Sequence, residues 1–242
     1  MTNMTASTAS EKKLVKAIQA AIGAAQDGVL GPASAVDLAW KVGANCWPLT
    51  IKLYGMPCII SKNIKAFNPG KGCSAYANSM SGSFSYQKKP CSILVSGGKT
   101  IYGASCHAWL GQPESVLYRL QNGFYGVQRT MSISTLPNGV EWAVGDVGLL
   151  SMYNPTEEGF TGKYADVLRK TDHTVIGVKN GLVYGVLCKN MTGQQVNAFV
   201  RDKLCLEKAI MLDGGHVAAM NGAESFARVN TAQVQYYMIQ FT

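Results

Sequence analysis

One short run, Ala209-Ile210-Met211-Leu212-Asp213-Gly214-Gly215, constrains this 242-residue chain more than any other. Four apolar residues bounded by charge and glycine have the length of a buried strand rather than of a helix. They deliver a carboxylate, Asp213, into two glycines, which tolerate positive φ and let backbone amides approach a ligand. His216 follows, so an acid and a base stand three residues apart on one turn. Asn221-Gly222 is a hairpin signal that sends the chain back past the same place. A carboxylate, glycine amides and an imidazole at a strand end make a candidate reaction centre. The plainer alternative is a turn with a capping aspartate, since turns favour these residues for local reasons.

With 47% apolar and 15% charged residues, the chain can bury a sizeable core and does not read as disordered. Its net charge of +8 favours an anionic partner: nucleic acid, a wall polymer or a phosphorylated small molecule. The basic residues are scattered apart from pairs such as Lys12-Lys13 and Lys88-Lys89, which sets nucleic acid aside. Seven cysteines, Cys46, Cys58, Cys73, Cys91, Cys106, Cys188 and Cys205, form no C-x-x-C pair. They read as reduced thiols of a protein made in the cytoplasm, not as zinc ligands. No cofactor is called for, and a divalent metal is left open. The N-terminus lacks the basic start and apolar core of a signal peptide, and no apolar run reaches membrane-spanning length. Membrane insertion is therefore not expected; oligomeric state is not written in the pattern.

Three segments are predicted. Residues 1–10 read as a flexible leader ending at a helix cap, Ser10. Residues 11–46 read as a small helical module, with Leu14, Ile18, Ala21 and Ile22 on one helical face, a turn at Asp27-Gly28, and a second helix from Ala35 to Val42. Residues 47–242 alternate strand-forming runs with glycine turns. Strands are predicted at Leu49–Leu53 and Met56–Ile60, with a hairpin turning at Gly97-Gly98. A strand entry follows at Glu141–Leu150, a hairpin at Asn180-Gly181, and a helix capped by Thr192. The fold class is α+β: a mixed, largely antiparallel sheet domain with packed helices, plus the N-terminal helical module. The polar stretch Asn154–Lys163 reads as a mobile lid or a linker within the domain.

Leu212-Asp213-Gly214-Gly215 through Met220-Asn221-Gly222 resembles the LDGGGS…M…NG signature of the phosphodiester glycosidase family, that of the mannose-6-phosphate uncovering enzyme and its bacterial and phage relatives. His216 replaces the third glycine, and Val217 and Ala218 the following hydroxyl residues. Other segments resemble the family in the same order, over about residues 50 to 242. Ala75–Phe84 is similar to a strand-to-loop motif whose asparagine falls on Asn78 or Ser81, although a plain Ser/Gly surface loop would look the same. Pro90–Ile101 resembles a hairpin, and Glu141–Leu150 a strand entry in which Asp146 departs from the pattern. Lys170–Val178 resembles R-T-A-I-G, with His173 where the family has arginine. His107, beside Cys106 and Trp109, reads as a hydrogen-bonded core histidine sooner than as a catalyst. At the N-terminus, Ile18-Gln19, Asp27-Gly28 and Leu30-Gly31-Pro32 are similar to the peptidoglycan-binding module of wall hydrolases; a helical hairpin that binds nothing is the alternative.

The resemblance implies hydrolysis of the bond between a sugar's anomeric carbon and a phosphodiester oxygen. That chemistry needs a carboxylate, a proton donor and groups that orient charge. The residues implied are Asp213 as base or nucleophile and His216 or His173 as acid or phosphate-holding group. A histidine in place of arginine holds its partner through a carbonyl, a proton transfer or, when protonated, an anion. Asn78, Ser79, Ser81, Gly82, Ser83, Gly214, Gly215 and Asn221 are the expected substrate-binding residues, and Asp172, Asp146 and Glu141 the possible second carboxylates. Together with the wall-type module this implies a lysin-type enzyme of a phage, acting on an anionic sugar-phosphate or wall glycopolymer and reaching the wall through lysis. The degenerate positions keep another reading open: a phage protein in the host cytoplasm that sequesters or degrades a nucleotide or sugar-phosphate signal.

Overall fold

The structure is a computed structural model; it describes residues 4–5, 9–22, 26–30, 58–68, 78–82, 85–86, 89–221, 226–228 and 237–242. The chain divides into two compact units, Met1–Cys58 and Ile59–Thr242. In the first, strand β1 (Met4–Thr5) pairs antiparallel with β2 (Val29–Leu30), and helix α1 (Ala9–Ile22) lies between them in sequence. The leader expected to be free is thus tied at Met4–Thr5 by backbone bonds, and Ser10 falls inside the helix rather than at its cap. Leu14, expected on the packed face, is 62% exposed, whereas Gln19 of α1 is buried. Its amide nitrogen donates to Asp27 Oδ1 at 2.6 Å and to the Val29 carbonyl at 3.0 Å, while its oxygen accepts from the Gly28 amide at 2.9 Å. This one side chain satisfies the Asp-Gly turn. The second predicted helix, Ala35–Val42, and the predicted strand Leu49–Leu53 lie outside the described residues.

The second unit is built on two antiparallel sheets. The chain contributes β3 (Cys58–Ser61), β4 (Ile64–Phe67), β5 (Ser79–Ser81), β6 (Ser85–Tyr86), β7 (Lys89–Pro90), β8 (Leu94–Ser96) and β9 (Lys99–Tyr102). Then come β10 (Glu114–Leu120), β11 (Tyr125–Thr130), β12 (Val140–Gly148), β13 (Thr171–Lys179), β14 (Leu182–Met191), helix α2 (Gly193–Asp202), β15 (Lys208–Gly214), β16 (Ala219–Asn221), β17 (Phe226–Arg228) and β18 (Met238–Phe241). The larger sheet runs β11-β10-β12-β15-β13-β14-β3, with β8 and β9 joined to β12. The smaller runs β17-β16-β5-β18-β4, and β6 pairs with β7 by itself. Among the described residues no helix is long and apolar enough to cross a membrane.

Local chemistry explains the turns. Gly97 and Gly98 at φ 58° and 75°, and Asn180 and Gly181 at 52° and 70°, place two left-handed residues in each two-residue connection, the geometry that matches strand twist. Thr192 and Gln195 close a reciprocal capping box on α2. Packing between the sheets is dry: Met80, Met220, Ile239 and Phe241 of the small sheet meet Trp142, Val144, Ile176, Leu187 and Ile210 of the large one in a single core. Gly185 is obligatory here, because a β-carbon would come within 2.5 Å of the Phe241 ring and 2.7 Å of the Met80 sulfur. The loop Asn154–Lys163, expected to be a mobile lid or a linker within the domain, is anchored. Glu158 within it is fully buried, accepting from the Ser115 hydroxyl and the Gly148 amide with Arg129 Nε 3.6 Å away. The Asn221-Gly222 turn is also longer than a two-residue hairpin, since Asn221 itself pairs with Phe226.

Candidate functional site

The central strand β15 ends where its ladder is irregular. His173 pairs with Gly214 and Val175 with Met211, so Leu212 and Asp213 together face Thr174 alone. Such a bulge re-aims a side chain at the end of a strand. The backbone there is held from both sheets. Thr174 Oγ1 donates to the Asp213 carbonyl at 2.7 Å, Ser81 Oγ donates to Thr174 Oγ1 at 3.3 Å, and the Ala219 amide donates to Ser81 Oγ at 3.2 Å. Across the sheets, the Asp213 amide donates to the Gly82 carbonyl at 3.4 Å. Glycine is required at 82, where a β-carbon would meet the Tyr237 carbonyl at 2.8 Å, and at 214, where it would meet the Asp172 carbonyl at 2.6 Å. Gly215 turns with φ 61° into a short 3₁₀ segment, Gly215–Val217.

The Asp213 side chain is half-buried, and its Oδ1 accepts from the Gly214 amide at 2.8 Å. Burial pushes its carboxyl up to about 7; the Asp166 carboxylate adds to the shift and the Gly214 bond opposes it. Asp146 is fully buried, with Oδ1 taking the Ser92 hydroxyl at 3.0 Å and Oδ2 unpartnered. Burial, then Glu114, Cys106 and Asp213, hold it well above the ordinary carboxylate range. Glu114, also buried, is raised to about 8, chiefly by burial. Asp146 and Glu114 are thus two buried acids raised chiefly by burial, and the charge of Glu114 adds to the shift of Asp146.

His173 is 1% exposed and directly beside Gly214. Its Nε2 lies 2.8 Å from the Met191 carbonyl and 3.1 Å from the Arg169 carbonyl, so Nε2 carries the proton. Burial lowers its pKa, keeping the ring neutral. The positive charge comes from Arg169 instead. Its Nη2 stands 3.3 Å from where a β-carbon on Gly215 would be, while Nη1 pairs with Asp166 Oδ2 at 3.0 Å. Nothing in the sequence pattern singled out Arg169, Thr174 or Glu114; the first two act through the pairing of β13 with β15, which spacing alone does not show.

Of the residues expected at the site, Asp213, Gly214, Gly215, His173, Ser81 and Gly82 meet. Ser79 and Asn221 pair with each other farther along the small sheet, and Asn78 closes that strand with φ 51°, its carbonyl accepting from the Phe241 amide. Ser83 lies outside the described residues, as does the side chain of His216. Of the possible second carboxylates, Asp146 is buried and its pKa is raised in small part by the charge of Asp213, whereas Asp172 accepts from the Asn190 amide at 2.8 Å and Glu141 pairs with Arg119 and Asn63. His107 is buried, with Nδ1 2.8 Å from the Glu158 carbonyl and its ring against Phe160 and Tyr164. Two surface hollows, at Val127–Leu149–Met152 and at Asn63–Lys65–Glu141, include neither Asp213 nor its partners. Among the described residues no group of three or more His, Cys, Asp or Glu is arranged to hold a metal ion.

No family model and no curated protein matches the sequence. Among solved structures, the catalytic domain of zebrafish N-acetylglucosamine-1-phosphodiester alpha-N-acetylglucosaminidase, auto-inhibited by its pro-peptide, matches 74% of this chain and 73% of its own at 15% identity and a TM-score of 0.54. A hypothetical protein from Synechocystis matches at 13% identity and a TM-score of 0.47, covering 76% of this chain and 59% of its own. About three quarters of this chain, 74%, therefore has a fold like that of the zebrafish catalytic domain.

Proposed function

We propose that this chain is a hydrolase of sugar-1-phosphodiester bonds, with Asp213 as the reacting carboxyl. The observation that carries the reading is the position of that carboxyl: it stands at the bulged end of a central strand with a pKa of about 7. A carboxyl poised near neutrality exchanges a proton in either direction, which suits an acid or base at a glycosidic oxygen. Arg169, beside the Gly215 turn, holds the phosphate in place of the arginine that His173 replaces. His173 orients the Gly214 backbone as a neutral ring. The proposed substrate is a bacterial wall glycopolymer, to which the first unit directs the protein through its Gln19–Asp27–Gly28 turn. The net charge of +8 supports an anionic target of this kind. Reducing sugar released from a sugar-1-phosphodiester, lost in Asp213→Asn, tests the reaction. Pelleting of the intact chain with purified walls, compared with Gln19→Ala, tests the target.

One observation favours a second reading, a non-catalytic protein that sequesters a nucleotide or sugar-phosphate. His173 is committed to two carbonyls and uncharged, so the site lacks a buried cation at that place. Stoichiometric binding of such a ligand without product, equal in the wild type and Asp213→Asn, decides for it.

A further inference from the structure

Two thiols lie beside the buried Glu114 carboxyl and have no part in the reaction proposed above. Cys91 precedes the β8–β9 hairpin and Cys106 follows it, yet their Sγ atoms are 3.9 Å apart. Both side chains are half-buried and within reach of a small reagent. One carboxyl holds them in register. Glu114 Oε1 accepts from the Ile93 amide at 2.6 Å and Oε2 from the Cys106 amide at 2.9 Å, clamping both thiol-bearing loops. The absence of a side chain at Gly145 gives that carboxyl its room. The two thiols also titrate apart: Cys91 and Ser92 favour the thiolate of Cys106, while Cys106 and burial hold the Cys91 proton.

We propose that Cys91 and Cys106 are a reversible dithiol, a modification site that reacts with a low-molecular-weight disulfide and closes to an intramolecular disulfide beside the buried Glu114 carboxyl. The Cys106 thiolate attacks one sulfur of the reagent R–S–S–R, forming a mixed disulfide and expelling one thiolate. Cys91, deprotonated, then attacks Cys106 Sγ and expels the second. Two cysteine protons end on two R–SH molecules, the protein loses two electrons, and the reagent gains them. A disulfide needs the sulfurs at about 2 Å, so they close by roughly 2 Å, within the reach of side-chain rotation.

The test is exposure of the intact chain to oxidised glutathione, followed by alkylation, peptide mapping and intact mass. The expected result is a loss of two hydrogens, one peptide joining Cys91 to Cys106, and full reversal by dithiothreitol. Cys91→Ser is expected to stop at a mixed disulfide on Cys106. Glu114→Gln, which cannot accept both amides, is expected to slow closing on the order of tenfold by loosening the clamp, while glutathione adds to Cys106 in Cys91→Ser at the wild-type rate. Persistent alkylation of both thiols while exposed Cys205 is modified, or a mixed disulfide on Cys106 that never resolves in the wild type, overturns the proposal. None of these readouts depends on the proposed hydrolase activity.

Discussion

Strand β10 carries two buried polar residues in succession, and their surroundings differ instructively. Ser115 meets Glu158, whose carboxylate also takes the Gly148 amide and has Arg129 at 3.6 Å. Glu114, one residue earlier, meets two backbone amides and, among the described residues, no ion-pair partner, and the groups whose charges bear on it are the Cys106 thiol and the Asp146 carboxyl. Both regions desolvate acids, and in both burial raises the carboxyl pKa. Around Glu158 the Ser115 hydroxyl, the Gly148 amide and then Arg129 oppose that shift, so the buried carboxyl secures a loop. Around Asp213 and Asp146 like charges add to it, so the groups stay protonated or poised. A matched buried acid is an anchor, whereas an unmatched cluster is where reactivity is expected.

The comparison breaks most readily at its reactive end. Asp213→Asn is expected to lower turnover of a sugar-1-phosphodiester by roughly 10²–10⁴-fold, the range for losing a positioned acid or base. Its circular dichroism is expected to be unchanged, since both carboxyl oxygens and the backbone bonds have neutral counterparts. A fold lost with the activity would make Asp213 an anchor like Glu158.

Glu158→Ala is expected to destabilise by about 2–4 kcal/mol in urea unfolding, because it strands the buried Ser115 hydroxyl and Gly148 amide and empties the carboxyl's site, while Arg129 keeps Glu157 and the Met152 carbonyl. Activity per folded molecule is expected to persist. A shift below about 1 kcal/mol would show that the loop is held by other contacts.

The pH dependence separates the two regions next. Asp213, raised from 3.8 to about 7, binds more protons folded than unfolded, so its contribution is full below pH 4 and lost as pH rises through 7. Asp213→Asn is therefore expected to be more stable than wild type above pH 7, on the order of a few kcal/mol, with the gap closing toward pH 4. Thermal unfolding from pH 4 to 9 reads this directly, and a gap that stays constant contradicts the raised pKa.

Arg169→Gln is expected to raise KM about tenfold with a smaller change in kcat, from losing one charge-assisted contact to phosphate. Smallest of all, Glu141→Gln breaks a half-exposed pair with Arg119 and is expected to cost under about 1 kcal/mol, leaving turnover unchanged. A fall in turnover there would return Glu141 to the list of reacting carboxyls.

Much of the fold was legible because its signals are local. Asn180-Gly181 and Gly97-Gly98 demand left-handed turns, Thr192 with Gln195 caps a helix, and Ala209–Leu212 can hardly be anything but a buried strand. The errors came where a local rule met a distant partner. Leu14 fits an amphipathic face yet is exposed, while Gln19 is buried because Gly28 and Val29 satisfy its amide. Asn154–Lys163 looks like a polar lid, but Glu158 carries its own reason for burial. At the candidate site the sequence marks Asp213, Gly214 and His173, yet not Arg169, Glu114 or the closeness of Cys91 to Cys106.

Local sequence alone is enough to specify a central buried strand ending in Asp-Gly-Gly, together with the turns and the cap around it. These follow from backbone sterics and side-chain spacing over a few residues. The assembled sheets settle what surrounds that acid: a bulge against Thr174, a neutral His173 and an arginine from the preceding segment. Strand register and desolvation set those relations, and both depend on groups that are tens of residues apart in the chain and adjacent only once the sheets are assembled.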